Sequence, residues 1–276
     1  MNFSFRATRI GKLNTSPDIP LRSLTMISHR LKNAVTRRLH PYLPYKTIQA
    51  LELRRQHERM RESEVEPHQA VLGLKDRSLF ELFPGIEEQE VSLPPAQFYR
   101  PANMVLPLPE FLSLAAICRF RAPRRIFEIG TYLGSSTAIM AQNTPATTEL
   151  WTLDLSEQEM QALNLDFAVG RDFVGTRHAA KITQLRGDSR KFDFSPYKGK
   201  MDLVFVDANH AYPFVKFDTQ VAFDLLAPGG IIIWDDYVWG DYPECAGVAR
   251  HLNELHLQKP IYHLAHTRLA IHLDAT

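Results

Sequence analysis

The sequence predicts a doubly wound α/β sheet preceded by a helical N-terminal extension. Three observations predict it. From residue 109 onward, short apolar runs alternate with amphipathic stretches, the pattern of strands separated by helices. The run Ile231-Ile232-Ile233-Trp234 is apolar throughout, as a strand covered on both faces must be. A turn carrying Gly130 and Gly134 joins one such run to a helix.

Each element has a local reason. Pro109 opens a helix over 110–120, because proline is tolerated in a first helical turn. Residues 125–129 read as a strand and 135–142 as the helix after the glycine turn. Strands follow over 150–154, 182–186 and 203–206, then a helix over 214–226, the 231–234 strand and a helix over 248–255. Residues 261–264 and 269–273 flank His266-Thr267 and read as a closing antiparallel hairpin. That makes seven strands, the last reversed.

Upstream of this domain the composition changes twice. Residues 1–61 hold 13 Lys/Arg against 3 Asp/Glu, and the remainder holds 19 against 28. Leu24, Ile27, Leu31, Ala34 and Val35 recur at helical spacing among arginines, until Pro41 and Pro44 end the pattern. Tyr45, Ile48 and Leu51 suggest a second helix. Residues 1–64 therefore read as a basic helical extension. It either packs on the body with its charges solvated, or touches an anionic membrane surface, nucleic acid or a partner; a cleaved transit segment is a third reading. Residues 65–108 carry Pro67, Pro84, Pro94, Pro95, Pro101 and Pro107 and read as an ordered connector, with one short buried turn at Leu79, Phe80, Leu82 and Phe83. The domain proper spans 109–276.

Composition excludes several classes. No run approaches the roughly 20 apolar residues of a membrane-spanning helix. The first residues lack the apolar core of a secretory signal. Cys118 and Cys245 alone make neither a disulfide framework nor a zinc spacing, so a reduced, cytoplasmic setting is expected. The acidic body disfavours nucleic acid as substrate. A homo-oligomer and a small-molecule acceptor are the expected partners.

The richest segment is Phe127-Glu128-Ile129-Gly130-Thr131-Tyr132-Leu133-Gly134-Ser135-Ser136. In open α/β sheets ligands bind beyond the carboxyl ends of the strands, and a helix N-terminus there offers free N–H groups. The spacing E-x-G-x-x-x-G differs from the G-x-G-x-x-G of dinucleotide folds. Glu128 suits a ligand with a cationic amino group. Asp154, ending the second strand, can accept from both hydroxyls of a ribose. Asp188, beside Ser189 after the third strand, can meet an adenine amino group. Gly130, Tyr132, Gly134 and Ser135 complete this candidate cofactor set. Taken singly, such turns and acids are often structural caps; their order at successive strand ends is the signal.

These segments, with WTLDLS, GDSRKFDF, DLVFVDANH and LLAPGGIIIWDDY, resemble class I S-adenosylmethionine-dependent methyltransferases over residues 108 to 273. The resemblance is nearest to bacterial enzymes that modify small molecules and sugars, of the macrocin and cephalosporin-pathway types. It implies a Rossmann-like seven-stranded sheet with a reversed last strand, and S-adenosylmethionine as cofactor. It also implies that Glu128, Gly130, Gly134, Asp154 and Asp188 line the cofactor site.

Asp207 follows the fourth strand, and Asp235-Asp236 follow the fifth. Three acids converging at neighbouring strand ends repel one another unless a cation sits between them, and hard oxygens suit Mg²⁺ or another divalent ion. The pattern is similar to metal-dependent O-methyltransferases acting on catechols and caffeoyl-coenzyme A, which carry Asp-Asn where this chain has Asp235-Asp236. Asp207 can also touch the methionine part of the cofactor. His210 stands where the caffeoyl type carries a lysine and is a candidate base, with Asp207 beside it as the second candidate catalytic group. The same acids could instead cap helices or bond loop N–H groups. Trp234, Tyr237 and Trp239 either wall an acceptor pocket or pack. The expected activity is metal-assisted O-methylation of a small-molecule or sugar hydroxyl. N-methylation, methylation of a macromolecule, or a non-catalytic cofactor-binding scaffold are the alternatives.

Overall fold

The computed structural model describes residues 73–93, 106–238 and 245–274, which belong to one unit, Gln56–Thr276. The helices expected near residues 24–35 and 45–51 lie outside the described residues.

The elements run β1 (Lys75–Arg77), α1 (Leu79–Leu82), α2 (Leu108–Arg121), β2 (Arg125–Ile129), α3 (Ser135–Gln142), β3 (Glu149–Asp154), α4 (Glu157–Ala162), β4 (Ile182–Arg186), β5 (Met201–Val206), α5 (Tyr212–Leu225), β6 (Leu226–Trp234), α6 (Ala246–Leu255), β7 (Ile261–Leu264) and β8 (Ala270–Leu273). They build one eight-stranded sheet in the order β1-β7-β8-β6-β5-β2-β3-β4. The seven expected strands are β2 to β8. Only β8 runs against its neighbours, antiparallel to both β6 and β7. Chain direction reverses its march across the sheet between β2 and β5, the place where open α/β sheets bind ligands.

Alternation along the strands divides the core. Ile126, Leu203, Phe205, Ile231 and Ile233 pack with α2 and α3, burying Phe111, Leu114, Ile117 and Met140. Phe127, Val204, Val206, Ile232 and Trp234 face the other way and pack with α5 and α6, burying Val215, Leu225, Val248 and Leu252. The central strands are covered on both faces, as their continuous apolar runs require. Trp234 Nε1 donates to Thr219 Oγ1 at 3.0 Å, which satisfies the one polar atom of a fully buried ring.

Three elements escaped the sequence reading. Strand β1 pairs parallel with β7 at the sheet edge and makes part of the expected connector a member of the sheet. Helices α1 and α4 are short, and each opens with a capping box, Ser78 with Glu81 and Ser156 with Glu159. The expected buried turn is Phe83 and Ile86; Phe80 is exposed. Strand β6 begins at Leu226, earlier than expected. Its pairing with β5 shifts between Met201 and Leu203, opposite the stretch where Pro228 lacks an N–H to donate.

Besides its pairing with β7, the β1 segment is tied to the domain through a tyrosine hydroxyl. Tyr237 Oη accepts from Gly73 N and Leu74 N, both at 2.8 Å, and donates to Asn253 Oδ1 at 2.7 Å. Gly73 N has a second acceptor in Asn253 Oδ1. Leu74 is buried, so Tyr237→Phe leaves its N–H without this acceptor. The substitution is expected to cost about 1–3 kcal/mol. Urea denaturation measures the loss, and faster amide exchange at Leu74 locates it.

Candidate functional site

The site is a row of adjacent strand ends. Hydrogen bonds continue the ladder one residue past the strands: Gly187 N to Asp154 O (2.8 Å), Gly130 N to Leu153 O (2.9 Å), Asp207 N to Ile129 O (2.8 Å) and Asp235 N to Val206 O (3.1 Å). Read across the sheet, the residues that follow β4, β3, β2, β5 and β6 therefore stand side by side. They line one cavity of about 920 Å³.

Gly130 makes the junction possible. Its φ is +102°, and a Cβ there would lie 1.9 Å from the carbonyl oxygen of Asp207. Only glycine lets β2 and β5 close this tightly beyond their ends. Asp154 holds the loop that follows. Its Oδ2 accepts from Thr131 N (3.1 Å) and Tyr132 N (2.6 Å), and its Oδ1 accepts from Leu155 N (2.7 Å). Asp154, Gly130, Tyr132 and Ser135 all line the cavity.

Two expected cofactor contacts do not line it. Glu128 is fully buried beneath the loop and accepts from the hydroxyls of Ser136 (2.5 Å), Thr152 (2.5 Å) and Thr137. It joins β2, β3 and α3 rather than facing a ligand, because odd and even positions of a strand look to opposite sides. Burial pushes its carboxyl up to about 7, against the pull of those three hydroxyls. Gly134 caps α3 and faces Phe173 and Gly170.

On the β4 side, Asp188 and Ser189 line the cavity. Burial opposes ionisation of Asp188, yet bonds from the Arg190 backbone and guanidinium hold its carboxyl below the usual range. Asp218 of α5, which sequence reading missed, also lines this side. Burial pushes it up to about 6, and its Oδ1 has no hydrogen-bond partner among the described residues.

On the other side, oxygens of Asp207, Asp235 and Asp236 lie within 4.8 Å of one another. Neighbouring strand residues normally point apart. Asp235 and Asp236 converge because Asp236 adopts φ +60°, a left-handed conformation that aspartate tolerates better than most residues. His210 joins them, with Nε2 at 3.0 Å from Asp236 Oδ2 and 3.8 Å from Asp207 Oδ1. Its Nδ1 lies 3.7 Å from Cys245 Sγ. The start of α6 abuts the His210 loop: a Cβ on Gly247 would lie 2.2 Å from the His210 carbonyl oxygen. Burial and the two neighbouring aspartates push Asp235 well above the ordinary carboxylate range. Burial opposes charging of His210, but Asp207 and Asp236 raise it well above an ordinary imidazole.

The cluster also contains a cation that sequence reading missed. Arg268, in the β7–β8 turn, places Nη1 3.0 Å from Asp236 Oδ1 and Nη2 3.4 Å from Asp235 Oδ2. Glu110 of α2 accepts from the Arg268 backbone N–H at 2.7 Å. The signal was present. A reversed last strand pairs Ala270 with Trp234, so the residues just before β8 must stand beside those just after β6. Of the expected aromatic wall, Trp234 and Tyr237 are buried in packing and do not line the cavity. Trp239 lies outside the described residues.

An open α/β sheet with one reversed strand, a glycine loop after its first central strand and an acid at the next strand end make up a Rossmann-like methyltransferase fold. Residues 127–237 match the family described as a methyltransferase domain. An O-methyltransferase of Aspergillus hancockii, hkm8, is 32% identical over 121 residues, covering 41% of this chain. The match spans 43% of that relative, so the chain covers less than half of its length. A putative caffeoyl-CoA O-methyltransferase from Staphylococcus aureus shares the fold at 18% identity and a TM-score of 0.50, over 69% of this chain and 92% of that one. The O-methyltransferase TomG of Streptomyces achromogenes, solved with its cofactor, aligns at 20% identity and a TM-score of 0.49, over 73% and 92% of the two chains. Among the described residues no helix is long and apolar enough to cross a membrane.

The buried Glu128 gives a pH signature. Its carboxyl rises from 4.5 to about 7 on folding, so the folded state binds its proton more tightly. Its contribution to stability is full below pH 4.5 and is lost as pH rises to about 7, a change of up to about 3 kcal/mol. Glu128→Gln removes the titration. The variant should gain stability relative to the parent between pH 4.5 and 7, as measured by urea denaturation across that range.

Proposed function

We propose that this chain transfers a methyl group from S-adenosylmethionine to the hydroxyl of a small molecule, with a divalent cation held by Asp207, Asp235 and Asp236. The observation that carries the reading is the meeting of two half-sites in one cavity. A glycine loop and Asp154 stand on one side of the β2–β5 junction, and a carboxylate cluster stands on the other.

The residues fit a divalent ion. Glu110, Asp207, Asp235 and Asp236 face Arg268 and His210, so with every group ionised the acids outnumber their cationic partners. Asp235 Oδ1 is buried without a hydrogen-bond partner among the described residues. A buried carboxylate oxygen in that state is one that a hard cation satisfies. When bound, such an ion supplies Lewis acidity toward the acceptor oxygen, and the cofactor's sulfonium supplies an already activated methyl group.

The chain's own groups do the rest. Asp154 orders the loop amides and offers its carboxylate to a ribose. The walls of the cavity align the acceptor with the methyl carbon and exclude water. His210 stands within reach of two carboxylates that favour its charged form, and it takes the acceptor proton only when neutral, a form that a cation on Asp207 and Asp236 would favour by opposing that charge. A purely scaffolding role leaves this charged cluster unexplained, because storing a cofactor needs no excess of acids at its far side.

Two substitutions separate the half-sites. Asp154→Ala should weaken cofactor binding by roughly 2–4 kcal/mol, since charge-assisted hydrogen bonds are lost; titration calorimetry with S-adenosylhomocysteine reads this directly. Asp235→Ala should leave that affinity within about threefold and lower methyl transfer to fractionated extract by a hundredfold or more. Chelation should reproduce the second loss, and added Mg²⁺ or Mn²⁺ should reverse it. Full transfer by chelated protein removes the ion from the mechanism and leaves the acids as hydrogen-bond acceptors for the substrate.

A further inference from the structure

We propose that Arg268 is a resident counter-ion of the acid cluster, placed so that it opposes a divalent cation there and sets how tightly that cation is held. The inference rests on the reading of Asp207, Asp235 and Asp236 as a cation site.

The guanidinium engages one oxygen of each paired acid, Asp236 Oδ1 at 3.0 Å and Asp235 Oδ2 at 3.4 Å. Its Nε lies 3.8 Å from Glu110 Oε1. The oxygens it does not take are Asp235 Oδ1, which has no hydrogen-bond partner among the described residues, and Asp236 Oδ2, which faces His210. A divalent ion held by Asp235 and Asp236 would share those two carboxylates with a permanent positive charge. Like charges separated by one carboxylate repel strongly where water is scarce, and an arginine cannot relieve this by losing its proton. Whether the side chain stays or swings toward solvent, holding the ion costs affinity.

The backbone of this turn is fixed without the side chain. Arg268 N donates to Glu110 Oε1, and its carbonyl oxygen accepts from Tyr237 N at 2.8 Å. The side chain is 28% exposed at the cavity rim, so truncation does not open the core. The guanidinium therefore acts on the cluster through charge and not as part of the packing. Without an ion it holds the acids together. With an ion it competes for them.

Titration calorimetry with Mn²⁺, on the full chain, tests this. Arg268→Met should bind Mn²⁺ at least tenfold more tightly than the parent. Its metal-free Tm should fall, and its Mn²⁺-induced rise in Tm should exceed the parent's. Arg268→Lys keeps the charge and should stay within about threefold of the parent affinity, which a role in packing would not produce. Arg268→Gln is neutral but keeps a donor for Asp236, and must show the same tightening if the Met variant does not fold. Parent binding with unchanged or weaker affinity in the neutral variants overturns the inference alone. Failure of parent and neutral variants alike to bind Mn²⁺ overturns the cation site and the inference together.

Discussion

The backbone of Gly130 against the carbonyl of Asp207 is the contact on which the rest of the site depends. It closes the gap between β2 and β5 beyond the last ladder bond, where the two halves of the sheet diverge. Divergence creates the crevice, and the close approach keeps it narrow. A cofactor loop on one side and an acid cluster on the other then belong to one cavity instead of two. The fold supplies this geometry before any side chain is chosen, because the row of strand ends follows from sheet order alone.

What side chains add is an arrangement of charge that parallel strands do not give by default. Strand periodicity would send Asp235 and Asp236 to opposite faces. The left-handed turn at Asp236 brings them to one side, and the reversed β8 delivers Arg268 to meet them. Glu110 then fixes the backbone that carries Arg268. Four elements distant in sequence thus share one electrostatic unit, in which the ionisation of Asp207, Asp235 and Asp236 depends on their neighbours.

The sequence made the central architecture legible because the central strands are buried on both faces, and such strands read as uninterrupted apolar runs. Gly130, Tyr132, Ser135, Asp154, Asp188, Asp207, Asp235 and Asp236 were recognisable as cavity residues because each lies at a strand end or in the loop that follows it. Glu128 was misread for a geometric reason. It lies inside the strand, one position too early to reach the ligand side, and its three hydroxyl partners come from a neighbouring strand and helix. Strand β1 was illegible because its three residues, Lys75-Asp76-Arg77, are all charged; edge strands of this length carry no apolar pattern. Arg268 was missed because it precedes the reversed strand instead of following a parallel one, and Asp218 because it lies inside a helix.

The edge position of β1 has a consequence for how the chain comes into being. Its sheet partner is β7, and Asp76 meets His263 across 187 residues of sequence. During synthesis the chain emerges from its N-terminus, so β1 leaves the ribosome long before its docking edge exists. Its other anchors, Tyr237 and Asn253, also come late. Until then β1 has no sheet edge to pair with. The first of the described strands is necessarily among the last to be seated, because its partner strand and anchors are made near the end of the domain.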